Sequence, residues 1–179
     1  ILLNFRGEGH AVIAVAGSSV TAFNRRKNDS GFRDWACAAA SDAIHDAGLD
    51  LADIDSIVVA SESDFFTLQL NPASVIASDL GLTGCPCLRV EGGGASGHLA
   101  VHVGVAQVMA GLARRVLVLG FEASASALPA AQIKTLYGFS FDAWTDGMTG
   151  VSATVLYALS ALAFMGRTGA TSEDFAAVA

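Results

Sequence analysis

Four short apolar runs recur along this chain, and a stretch with helical spacing separates each from the next. They are Ala11–Ala16, Ile54–Ala60, Cys85–Val90 and Val116–Leu119. Each is too short for a helix and reads as a strand buried in a sheet. After the first, Asp29-Ser30-Gly31 opens a helix. Its Trp35, Ala36, Ala39, Ala40, Ala43, Ile44 and Ala47 share one stripe, and Gly48 sits at the C-terminal cap. Asn71-Pro72 starts the next helix, with Asn as the cap and Pro at the first helical position, and Gly81 ends it. The third run passes through Glu91-Gly92-Gly93-Gly94-Ala95-Ser96-Gly97 into a helix reaching about Ala110. That helix is apolar nearly all round, which predicts cover on most sides. Strands alternating with helices specify an α/β domain with a mainly parallel sheet flanked by helices.

Beyond Glu122 the pattern changes. Residues 123–150 have weak periodicity and carry Gly138, Gly147 and Gly150, as expected of a loop excursion over the active face. Val151–Met165 is a long helix stopped by Gly169, and Thr171 with Asp174 caps another. The organisation is therefore an α/β core over 11–122 and a loop or cap region with helices over 123–179. No internal repeat or linker interrupts it. The chain opens with Ile1 rather than Met and stops inside its last helix, so it reads as an incomplete chain, with residues 1–9 unassigned to the fold.

Composition removes several functions. Lys plus Arg number 10 against 17 for Asp plus Glu, a net charge of −7, so no basic stripe for nucleic acid exists. Arg25-Arg26-Lys27 is the only basic run and reads as a solvated loop. Charged residues make up only 15%, against 53% hydrophobic, which predicts that much of the surface is buried against something else. Cys37, Cys85 and Cys87 are too few for a disulfide scaffold and have no cluster that would complete a metal site. Buried, reduced cysteines fit a reducing compartment, the cytoplasm. The uncharged stretch Val151–Gly166 falls short of the ~20 residues a spanning helix needs, and no secretory signal is visible.

The glycine turn carries the chemistry. It lies where α/β domains place their sites, at the end of a strand. Glycines allow a ligand to approach the backbone, and the helix N-terminus offers N–H groups to an anion or oxyanion. Gly92-x-Gly94-x-x-Gly97 also matches a dinucleotide fingerprint by letter, but it follows the third strand, not the first.

A wider set of segments agrees in order and spacing. Arg89 to Gly97 with Leu99-Ala100, Ala11 to Gly17 with Thr21 and Phe23, and Val116 to Glu122 resemble segments of the thiolase superfamily. So do Tyr157-Ala158, Met165, Gly169 and Thr171 to Phe175. In particular, the chain looks like the branch of sterol carrier protein X thiolases and bacterial lipid-transfer-protein-like thiolases. The resemblance implies the N-terminal half of a thiolase-like fold and an acyl-CoA substrate. Coenzyme A enters as part of that substrate, with no bound cofactor. It also implies a homodimer, with the third strands and the helices after the glycine turn near the two-fold axis. The family places its nucleophilic cysteine immediately before Ala-Ser-Gly, and that position here is Gly94. A residue without a side chain forms no acyl-enzyme, so covalent transfer there is excluded. Cysteine-less members of this branch are associated with retro-aldol cleavage of β-hydroxyacyl-CoA steroid side chains, often beside a small OB-fold partner. The resemblance therefore implies a carbon–carbon lyase; a non-catalytic CoA-ester-binding or scaffold subunit and an unrelated nucleotide-binding domain are the rival readings.

Gly93, Gly94 and Ser96 are the candidate substrate-binding residues. His98, Asp142 and Tyr137 are the candidate proton carriers. For each there is a plainer expectation. Ser96 caps the helix, and His98 is a satisfied core histidine, with His102 in the core or an interface. Glu122 is a possible base but is expected to order backbone. Tyr157 packs within its helix, and Phe139, Phe141 and Trp144 dock their loop on the domain.

Overall fold

The computed structural model describes residues 1–6, 12–23 and 30–179. Ala11, Asp29, His10 and the run Arg25 to Lys27 lie outside the described residues. The chain divides into two compact units, 1–127 and 128–179.

In the first unit, five strands form one sheet: β1 (Leu2–Arg6), β2 (Val12–Gly17), β3 (Ser56–Ala60), β4 (Cys87–Val90) and β5 (Arg115–Gly120). Their order is β2-β1-β5-β3-β4. β3 pairs parallel with both β4 and β5, so the C-terminal ends of all three meet on one edge of the sheet. The strand at Leu2–Arg6 falls in the segment that the sequence left unassigned. It lies antiparallel between β2 and β5, and β2 is thereby one place removed from β5. The third strand starts at Cys87 rather than Cys85, because Cys85 closes a turn onto Leu82 O and Pro86 has no N–H for the ladder.

Alternation along the strands builds two cores. Ile57, Val59, Leu117 and Leu119 face α1 (Phe32–Asp46) and α2 (Pro72–Asp79) through Ala36, Ala40, Ile44, Ala73 and Ile76. Val58, Ala60, Val116 and Val118 face the other way, onto Ala100 and Val108 of α3 (Ser96–Met109). β3 is buried at every position. The helix signals read from sequence operate as expected. Asn71 Oδ1 accepts from Ser74 N at the start of α2, and Gly48 and Gly81 take positive φ at the ends of α1 and α2.

α3 departs from expectation. It is buried along one stripe only, Ser96, Ala100, Gly104 and Val108, while His98, Leu99, His102 and Met109 are exposed. One sheet face can cover only one stripe of a helix, however apolar the rest. The cysteines are also half-buried rather than buried, and all three are free.

The second unit is helical: α4 (Ser124–Ala127) leads to it, followed by α5 (Ala130–Gly138), α6 (Ala153–Thr168) and α7 (Ser172–Ala176). Gly169 caps α6 in the left-handed conformation, and Thr171 and Asp174 form the anticipated reciprocal cap. α6 has no buried residue. Tyr157 is 78% exposed rather than packed, and Trp144 is 88% exposed rather than docked, with Phe139 also exposed. A unit of short helices without a sheet offers no broad surface to cover them. Among the described residues, no helix is long and apolar enough to cross a membrane.

Candidate functional site

At the end of β4 each glycine has a distinct local setting. Gly93 takes φ +56°, which favours glycine. A Cβ on Gly92 would fall 2.2 Å from Leu99 Cδ1, the end of an exposed side chain that would have to swing aside. Gly94 is exposed, and a Cβ there meets nothing within 4 Å. A single 3₁₀ turn over Gly93–Ala95 feeds the chain into α3.

Ser96 holds this turn together. Its Oγ accepts from Gly92 N at 3.0 Å and donates to Gly93 O at 2.6 Å, and the residue is 5% exposed. Its hydroxyl therefore works on the turn and does not cap α3, whose cap position, Ala95, has no side-chain bond. Glu91 Oε1 accepts from Gly93 N, and Ala95 N and Ser96 N donate to Gly92 O and Gly93 O. None of these bonds uses the Gly94 N–H. Ser96→Ala is expected to cost about 1–3 kcal/mol by leaving buried turn groups unpaired, measured by urea unfolding. An unchanged unfolding midpoint would show that the turn does not depend on this hydroxyl.

Beside the turn, a cavity of about 630 Å³ opens within the first unit. Gly97, His98 and Val101 of α3 form one wall. Trp35, Ala36 and Ala39 of α1, the segment from Ser19 to Phe23, and the end of β5 through Glu122 form the others. His98 is thus an exposed residue at a cavity, not a core histidine, and His102 is exposed as well. The sequence did not anticipate the contribution of Trp35 or of Val20. The available signal was Trp35 standing in the first turn of its helix, where a large ring overhangs the strand ends.

Glu122 is an exposed residue that lines the same cavity. Its Oε1 accepts from Ala123 N at 2.9 Å and its Oε2 from Glu62 N at 3.2 Å. Burial raises its pKa above the ordinary carboxylate range, although the two backbone bonds and the nearby Arg89 pull the other way. Arg89 pairs with Asp64 and donates to Ser61 O at 3.1 Å.

Tyr137 belongs to α5 and Asp142 to the following loop, both in the second unit. Asp142 Oδ1 accepts from Trp144 N and Thr145 N, and these bonds hold its carboxyl below the usual range. Such an aspartate is ionised and weakly basic. Burial pushes the Cys37 and Cys85 thiols up. Cys87 Sγ lies 3.6 Å from Ser74 Oγ, in the strand body. Among the described residues no group of His, Cys, Asp and Glu could hold a metal ion.

In α/β domains, a glycine turn at the C-terminal end of a parallel strand, feeding a helix N-terminus, is a common place for a ligand to meet backbone N–H groups. The chain belongs to the thiolase N-terminal domain family, whose model matches residues 11–178. It is 36% identical over 168 residues to an acetyl-CoA acetyltransferase of Methanothermobacter thermautotrophicus, covering 93% of this chain and 43% of that one. A second acetyl-CoA acetyltransferase, from Methanocaldococcus jannaschii, is 33% identical over 163 residues, covering 90% of this chain and 41% of that one. The benzoylsuccinyl-CoA thiolase subunit BbsB of Thauera aromatica is 29% identical over 175 residues, covering 93% of this chain and 41% of that one. The chain thus spans about two fifths of the length of these curated relatives.

Proposed function

We propose that the protein acts on acyl-CoA thioesters without a covalent acyl-enzyme, and that its reaction is retro-aldol cleavage of a β-hydroxyacyl-CoA. The observation that carries this reading is Gly94, an exposed glycine at the helix entry with open space where a nucleophile would project. The thioester oxygen approaches the Gly94 N–H, a donor that the turn does not consume. Negative charge developing on that oxygen as the Cα–Cβ bond breaks is stabilised there. Retro-aldol chemistry needs this enolate and a base, but no acyl-cysteine. Membership of the thiolase N-terminal domain family supports the thioester. The finer assignment, to the cysteine-less lipid-transfer-protein-like branch acting on a steroid or lipid side chain, rests on the resemblance and on Gly94. A cytoplasmic homodimer with a small OB-fold partner completes it; β4 stands at an edge of the sheet, where a second copy can pair.

Full-length protein incubated with a panel of β-hydroxyacyl-CoA esters, with and without candidate OB-fold partners, is expected to release a shortened acyl-CoA and a carbonyl compound in equal amounts. Absence of both products across the panel, with tight ester binding retained, favours a binding or scaffold subunit. Iodoacetamide labelling of Cys37, Cys85 and Cys87 is expected to leave turnover intact, since none of the three lines the cavity or belongs to the glycine turn. Loss of turnover, with the CoA ester protecting one of these cysteines, would overturn the non-covalent mechanism.

A further inference from the structure

We infer that Glu122 is the base of this site, and that the cavity it faces receives the acyl part of the thioester. The inference rests on the retro-aldol reading above and names the residue and space that reading lacks. Among the described residues lining the cavity, Glu122 is the one carboxylate. The cavity is lined by Gly97 and His98, in the first helical turn after Gly94, which places it next to the turn along the chain. The rest of the lining is largely apolar, with Val20, Phe23, Trp35, Val101 and Phe121, as an aliphatic or ring substituent requires. The two backbone donors fix the carboxylate in place while leaving each oxygen a second lone pair for a substrate proton.

The proton balance closes on this one group. The Glu122 carboxylate takes the proton of the β-hydroxyl. The O–H pair becomes the new C=O bond, the Cα–Cβ bond breaks, and its electron pair passes to Cα and the thioester oxygen as the enolate. The same carboxyl then returns its proton to Cα, which is one carbon away from the hydroxyl oxygen. The products are a ketone or aldehyde and the shortened acyl-CoA, and Glu122 is ionised again.

Charged and titratable groups surround this carboxyl on several elements. Glu62 follows β3, Arg89 comes from β4 and His98 stands on α3. Glu62 and burial raise the Glu122 pKa, while Arg89 and the backbone donors lower it, and burial dominates. The base must be ionised, so kcat/KM of the full-length protein is expected to rise with pH through a value above the ordinary carboxylate range.

The test uses full-length protein and two readouts: cleavage of β-hydroxyacyl-CoA, and exchange of the α-protons of a saturated acyl-CoA in D₂O. The second needs no cleavage, because it runs the last proton transfer backwards. Glu122→Gln is expected to lower both rates by about 10²–10⁴-fold, with ester binding and Tm retained and the acid limb of the pH profile gone. Glu122→Asp is expected to keep the limb and part of the rate, which separates lost base from lost fold. Wild-type cleavage retained in Glu122→Gln overturns the assignment while leaving the retro-aldol reading standing. Wild-type exchange without cleavage, lost in Glu122→Gln, supports Glu122 as base and sinks the retro-aldol reading. Neither cleavage nor exchange in the wild type overturns both.

Discussion

Replacing Gly17 with valine is expected to leave little folded protein. Gly17 ends β2 against α1, and a Cβ there would lie 2.3 Å from Ala43 O and 2.7 Å from Ala47 N. Both are backbone atoms in the last turn and cap of a helix whose Ala36, Ala40 and Ala43 are themselves buried, so neither can swing aside. The helix must lift off the sheet, opening the core around Ile44 and Ile57. The cost is expected at or above the ~3 kcal/mol reached by severe overpacking, a large part of a domain's margin. Soluble yield and the thermal midpoint of the full-length protein measure it. Gly17→Ala is expected to fall in the same direction, because the clash begins at the first side-chain carbon. A Gly17→Val protein with the wild-type midpoint would mean that β2 and α1 are not in contact as described.

Gly94→Leu is expected to do the reverse: to abolish acyl-CoA binding and keep the fold. Gly94 is exposed, has no positive φ, and offers open space to a side chain. Among the described residues, no atom lies within 4 Å of a Cβ placed there. A branched side chain there would instead fill the approach to the Gly94 N–H, where the thioester oxygen is proposed to sit. Calorimetric titration with an acyl-CoA is expected to show no binding, at an unchanged Tm. Gly94→Ala is expected to bind, because one methyl group leaves the approach open. Normal binding and turnover by the leucine variant would place the ester elsewhere. A leucine variant that fails to fold would assign Gly94 to backbone geometry alone. The contrast between Gly17 and Gly94 is informative because the residue type is the same and only the surroundings differ.

Much of the architecture was legible in the chain. Strand and helix periods differ, so the runs at Ile54 and Val116 and the stripe from Trp35 to Ala47 declared their own elements. Capping residues declared their ends: Asn71, Gly81, Gly169 and the pair Thr171 and Asp174 all act locally, within one turn of the chain. The glycine turn was legible for the same reason, since Gly92 to Ser96 bond to one another over four residues. The sequence by itself determined these, because each depends on neighbours along the chain. Only the tertiary structure decided the rest. Leu2–Arg6 became a strand because β2 and β5 supply its hydrogen-bond partners. α3 buries one stripe because a single sheet face reaches it. Glu122 found its backbone partner because the ends of β3 and β5 lie side by side, bringing Glu62 N onto it from 60 residues away in sequence. Burial and charge environment are sums over atoms distant in the chain, and no local pattern carries those sums.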